Sequence, residues 1–211
     1  MLKIGIYTGC TATNVGNAFF DMGAKQFIQE AFPSAKLFIL GGVTHWMFNH
    51  SQVPPSQQQK YSINSLEMAE LAKIDLIVFA GMRMCKEFVD NNGRSFLSAA
   101  KRGVAFLGLG VGASEYTNFE AKYYSDFLSK LGKVAIITRD DNTYSMFKEY
   151  VKNIVSGIDC AFALSRYYEP PHLDFPNYDV VTFDSSLIPT SIDHEGRDIL
   201  YAHHNLLGGV V

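Results

Sequence analysis

Arg139, in Thr138-Arg139-Asp140-Asp141-Asn142, and Asp159, in Gly157-Ile158-Asp159-Cys160-Ala161-Phe162, are the residues whose type and position best suit chemistry in this chain. A guanidinium holds a phosphate or carboxylate through its planar fork. A carboxylate hydrogen-bonds sugar hydroxyls or caps a turn, and both roles stay open for Asp159. Part of the cluster around Arg139 is explained by capping, with Asp141 or Asn142 as the N-cap of the helix that follows. Gly81-Met82-Arg83 offers a second guanidinium, with plain solvation of Arg83 as the alternative. The small polar run Thr8-Gly9-Cys10-Thr11-Ala12-Thr13-Asn14-Val15-Gly16-Asn17 leads into a helix, whose free N–H groups favour an anion. Asn14, Gly16 and Asn17 are its candidate contacts, although Gly16 also suits a simple turn. In Gly108-Leu109-Gly110-Val111-Gly112-Ala113-Ser114, Gly110 and Gly112 let another molecule approach the backbone closely. That run matches G-x-G-x-x-G/A only loosely and sits in a late unit, which argues against a dinucleotide cofactor.

Other chemistries lack their spacing. His194-Glu195 and His203-His204 fall in no H-E-x-x-H or comparable ligand pattern, so no metal is expected. No G-x-S-x-G elbow marks a serine hydrolase. Cys10, Cys85 and Cys160 are odd in number and contain no C-x-x-C, so free buried thiols are expected rather than a disulfide framework or a zinc site.

The elements that must position these residues alternate. Residues 3–7 read as a strand, and residues 17–32 as a helix in which Phe20, Ala24, Phe27, Ile28, Ala31 and Phe32 keep i, i+3/i+4 spacing. Strands follow at 37–40, 75–81, 104–109, 134–138 and 153–156, with helices at 66–73, 95–101, 119–131 and 142–150. The continuous apolar run 75–81 suits a strand buried on both faces, as in a parallel sheet. Six strands with intervening helices predict βαβ units in an open, doubly wound, mostly parallel Rossmann-like α/β sheet, with the chemistry at the carboxyl ends of the strands. Residues 41–61, with His45, Trp46, His50, Pro54 and Pro55, are too long for a routine connection and read as a partly ordered lid. The prolines of 166–176 read as an extended linker. Beyond it, strands at 179–183 and 199–201 belong to a further unit, for which residues 177–211 are too few to build a core.

The 211 residues amount to about 1.4 average domains. The formal net charge of −3 provides no field to attract a polyanion, which argues against nucleic acid and a charged membrane surface. The first residues lack the apolar run of a signal peptide, and the most apolar stretch, 104–113, is half of the ~20 residues a bilayer requires. A cytoplasmic protein with no transmembrane segment is expected.

Together and in order, Asn14-Val15-Gly16-Asn17, Asp75-Leu76-Ile77-Val78-Phe79-Ala80-Gly81, Gly108-Leu109-Gly110-Val111-Gly112, Arg139-Asp140-Asp141-Asn142-Thr143-Tyr144-Ser145 and Asp159-Cys160-Ala161-Phe162 resemble the polysaccharide pyruvyl transferase family. Its corresponding segments read roughly N-x-G-D, D-hydrophobic-G-G, a glycine-rich strand end, R-(x)n-S and D-x-A-F. Asn17 replaces the usual Asp, and Ala80-Gly81 replaces Gly-Gly. The resemblance implies two Rossmann-type domains facing across a cleft, with phosphoenolpyruvate as donor substrate, no further cofactor, and a glycan or lipid-linked sugar as acceptor; it leaves room for a homo-oligomer. Residues 1–165 would then form the first domain, 166–176 a linker and 177–211 the start of the second. Such chemistry needs cations for the donor's anionic groups, a base for the attacking hydroxyl and a proton for the enolpyruvyl methylene. Arg139 and Arg83 suit the first and Asp159 the acceptor hydroxyls, with His45 or His50 as candidate proton donor. The rival readings are a nucleotide-sugar glycosyltransferase of paired α/β domains, and a non-catalytic glycan- or nucleotide-binding module.

Overall fold

Side chains alternate across the central strands, and this alternation decides which helices cover which face. In strand β3 (Leu76–Ala80), Ile77 and Phe79 enter one core while Val78 and Ala80 enter another. The computed structural model describes residues 1–7, 15–40, 72–82, 84–169, 179–183 and 199–203. Within them β1 (Lys3–Tyr7), β2 (Lys36–Leu40), β3, β4 (Ala105–Val111), β5 (Val134–Thr138) and β6 (Ile154–Ser156) form one all-parallel sheet in the order β2-β1-β3-β4-β5-β6. The chain moves outward from β1 to β2 and then crosses to β3 on the other side. The sheet is therefore doubly wound, as expected from the alternating pattern.

On the larger face, helices α2 (Lys86–Lys101), α3 (Asn118–Leu131) and α4 (Asp141–Phe147) contribute Phe88, Phe96, Tyr124, Phe127, Leu128 and Phe147 to the core. Phe96 is fully buried, with ring centroids of Tyr7, Phe79, Phe88, Phe106 and Phe127 5.4–6.3 Å away. On the smaller face, helix α1 (Val15–Ala31) brings Ala24 and Ile28, and a 3₁₀-helix, η1 (Cys160–Arg166), brings Cys160. Burial of these residues accounts for the apolar stripe of α1, whereas Phe32 lies past its end and is exposed.

Four boundaries differ from expectation for identifiable reasons. Helix α2 begins at Lys86 rather than at 95, because Phe88, Asn92, Phe96 and Ala99 keep one inward stripe through Asn92-Gly93, residues of low helix propensity. Strand β4 continues to Val111, so Gly110 stands within the strand and not after it. Helix α4 ends at Phe147, short of residue 150, and its N-cap is Asp140 instead of Asp141 or Asn142. Asp140 has the extended backbone (φ −149°, ψ 156°) that a cap requires, and Asp141 instead accepts a hydrogen bond from Ser156 Oγ. The lid at 41–61 lies outside the described residues, as do most of the linker and all of the expected helix at 66–73 except Ala72 and Lys73, which form a turn with Lys73 at φ +53°.

Strands β7 (Asp179–Phe183) and β8 (Ile199–His203) form a separate parallel pair, as a second βαβ unit requires. Among the described residues no helix is long and apolar enough to cross a membrane.

Candidate active site

The carboxyl end of β4 carries a bulge, and two side chains converge over it. Register against β5 shifts between Leu109 and Val111, with Gly110 at φ +62° in the left-handed region open to glycine. A Cβ at Gly110 would lie 2.8 Å from Cys160 N and 3.3 Å from Asp159 Cα, so this glycine admits the start of η1 against the strand. Two residues on, a Cβ at Gly112 would lie 2.3 Å from Arg139 Nε, so the guanidinium lies directly on this backbone. Gly110 and Gly112 thus set Asp159 and Arg139 side by side. Gly81, also left-handed at φ +61°, is covered by the Phe20 ring of α1. All three glycines are buried, and their space is taken by the protein's own atoms.

Arg139 Nη1 stands 3.8 Å from Asp159 Oδ2, and Arg139 Nε 3.9 Å from Asp140 Oδ2. The Arg139 side chain is about one-third exposed, so a ligand can reach it. Asp159 Oδ1 accepts the Ala161 N–H (2.9 Å), which caps η1. Both readings of Asp159 therefore meet in one residue: it caps a turn and still presents its other oxygen to the site. Burial pushes its carboxyl above the usual carboxylate range, against the opposing pull of the Ala161 N–H and the Arg139 guanidinium. A carboxyl so raised holds its proton more firmly than a solvated one does. The neighbouring Cys160 thiol is buried and pushed up to about 12, chiefly by desolvation, so it is an inert packing residue. Cys85 is likewise free and buried, and Cys10 lies outside the described residues.

Three residues that carry no obvious chemistry hold the site together. Asp140 accepts from Thr143 N (2.6 Å) and Thr143 Oγ1 (2.9 Å), and Thr143 Oγ1 in turn accepts Ala113 N–H (2.9 Å), which ties α4 to the end of β4. Glu120 is buried, and its carboxylate accepts the N–H groups of Ser114 (3.1 Å), Glu115 (3.0 Å) and Tyr116 (2.9 Å). This arrangement holds the loop after β4, including Tyr116 at φ +54°. The spacing Thr117-x-x-Glu120 is the sequence signal for a capping box, and Thr117 Oγ1 does accept Glu120 N–H (3.1 Å). Glu120 reaches past the cap to the three preceding residues, which that motif does not foretell.

The remaining candidates divide. Gly16 and Asn17 lie half-buried in the first turn of α1, beside the switch point between β1 and β3. Asn14, His45, His50 and Arg83 lie outside the described residues. The backbone flanking Arg83 is nonetheless zipped to β4, with Gly112 N–H donating to Met82 O (3.2 Å) and Met84 N–H to Gly112 O (2.6 Å).

A doubly wound parallel sheet defines an α/β protein, and its arginine–carboxylate pair lies over the end of a central strand, a candidate site at the carboxyl edge where such folds bind ligands. The chain belongs to the polysaccharide pyruvyl transferase family, whose model matches residues 14–207. It is thereby placed in a family of transferases. No curated protein matches the chain.

Proposed function

We propose that this protein transfers the enolpyruvyl unit of phosphoenolpyruvate to two hydroxyls of a glycan, forming a pyruvate ketal and releasing phosphate. The observation that carries this reading is the juxtaposition of Arg139 and Asp159 over the glycine bulge of β4 in a member of this family. Arg139 neutralises the donor's phosphate or carboxylate, and Arg83 is its proposed companion. Asp159 accepts the proton of the attacking sugar hydroxyl, a task that suits a carboxyl raised by burial.

Atoms balance along this route. A proton is added to the methylene carbon, the first hydroxyl oxygen bonds to the central carbon, and the carbon–oxygen bond to phosphate breaks. The second hydroxyl then adds to the same carbon and closes the ketal, and the hydroxyl protons pass to base and phosphate. His45 or His50 is the proposed source of the methylene proton, and Asn14, Gly16 and Asn17 a proposed anion cradle at the start of α1.

The test is incubation with phosphoenolpyruvate and a panel of glycans, following phosphate release together with the new ketal methyl signal by NMR. Both are expected with at least one glycan. Absence of both, combined with thermal stabilisation by nucleoside diphosphates and none by phosphoenolpyruvate, would overturn the proposal in favour of a nucleotide-sugar enzyme.

A further inference from the structure

A 3₁₀-helix has three residues per turn, so positions three apart lie above one another. Along η1 that rule aligns the capping Asp159 with Phe162, Ser165 and, just beyond the helix, Tyr168. Phe162, one turn along η1 from Asp159, is 71% exposed, and Tyr168, two turns further on, is 45% exposed, so both leave large apolar surfaces in water. Together with Ser165, Leu164 and Phe19 of α1 they line an open depression of about 340 Å³. Its floor is rigid: Phe162 N–H donates to Asp159 O (3.2 Å), Ser165 Oγ donates to Phe162 O (3.1 Å), and the Cys160 carbonyl packs against Gly23 of α1.

A pyranose ring has the complementary chemistry. Its C–H faces are apolar and stack on aromatic rings, while its equatorial rim is hydroxyl. The depression offers the Phe162 and Phe19 rings for such a face and the Ser165 and Tyr168 hydroxyls for the rim, and at its Phe162 end Asp159 stands one helical turn away for the hydroxyl that reacts. We infer that the Phe162-Ser165-Tyr168 stripe of η1, with Phe19, is the subsite that seats the acceptor sugar and presents its hydroxyl to Asp159. This inference rests on the pyruvyl-transfer reading for the reaction, but not for the binding itself.

Binding is measured first without donor, by saturation-transfer NMR on the full chain with methyl pyranosides of glucose, galactose, mannose and N-acetylglucosamine. At least one is expected to bind through its C–H face. Phe162→Ala is expected to weaken that binding about tenfold, Phe162→Trp to retain it, and Tyr168→Phe to weaken it by a few-fold. Because Phe162 is mostly exposed, the alanine variant should melt within a few degrees of the wild type. In the coupled assay, Phe162→Ala should raise KM for the glycan and leave KM for phosphoenolpyruvate unchanged. Sugar binding without phosphate release would overturn the pyruvyl-transfer reading and leave the subsite standing. Phosphate release with a glycan KM indifferent to Phe162→Ala would overturn the subsite, as would the failure of every pyranoside to bind. A Phe162→Trp variant that folds but loses binding as fully as Phe162→Ala would also count against stacking.

Discussion

Asp159 serves local structure and the site at once, and pH separates the two roles. Its carboxyl is raised by burial in the folded chain, so the folded state holds this proton more tightly than the unfolded state does. The ionised form is therefore a stability cost at neutral pH. That cost is relieved as pH falls through the raised folded value toward the ordinary carboxylate range. Asn keeps an oxygen for the Ala161 N–H while removing the charge, so Asp159→Asn is expected to melt at the wild-type temperature or higher at neutral pH. Its advantage should shrink on acidification, and its transfer activity should be lost. Thermal denaturation across the acid range, set beside turnover, checks both. A variant that melts well below wild type at neutral pH would make Asp159 a structural residue only.

The site depends at the next scale on loops fixed to their elements. The stretch after β4 is held by the buried Glu120 of α3, and Thr143 of α4 ties Ala113 to the same strand end. Removing the Glu120 carboxylate strands three backbone N–H groups. Glu120→Ala is expected to cost about 2–3 kcal/mol in chemical denaturation, with faster amide exchange at Ser114, Glu115 and Tyr116. Unchanged exchange at those amides would show that the loop is held by other contacts. The expected strand at 134–138 and the expected helix at 119–131 lie within one residue of β5 and α3, because each has an uninterrupted apolar period. The start of α2 is hidden by Asn92-Gly93, since the burial that offsets poor helix propensity comes from a sheet assembled elsewhere in the chain. The N-cap of α4 reads from the sequence as Asp141 or Asn142, and the backbone angles place it instead at Asp140, one residue earlier.

For the whole molecule, stability concentrates on the face where α2 and α3 cover the sheet. Phe96 there meets rings from three strands and both helices. Phe96→Ala should cost about 3–5 kcal/mol and lower the melting temperature by roughly 10 °C. A change of only a degree or two would show that the core collapses around the lost ring. The amino-acid sequence on its own determined the parallel α/β sheet, its six strands, two further strands at 179–183 and 199–201, and the family. Apolar periodicity and motif order are local properties, legible residue by residue. Pairing Arg139 with Asp159 was decided only by tertiary structure: the two are twenty positions apart, and their meeting depends on a third segment, the Gly110–Gly112 bulge. Those glycines read as a surface for another molecule, yet their open space is filled by this protein's own backbone and guanidinium. Which atoms take the room left by a missing side chain is set by the packing of distant segments, and spacing along the chain does not encode it.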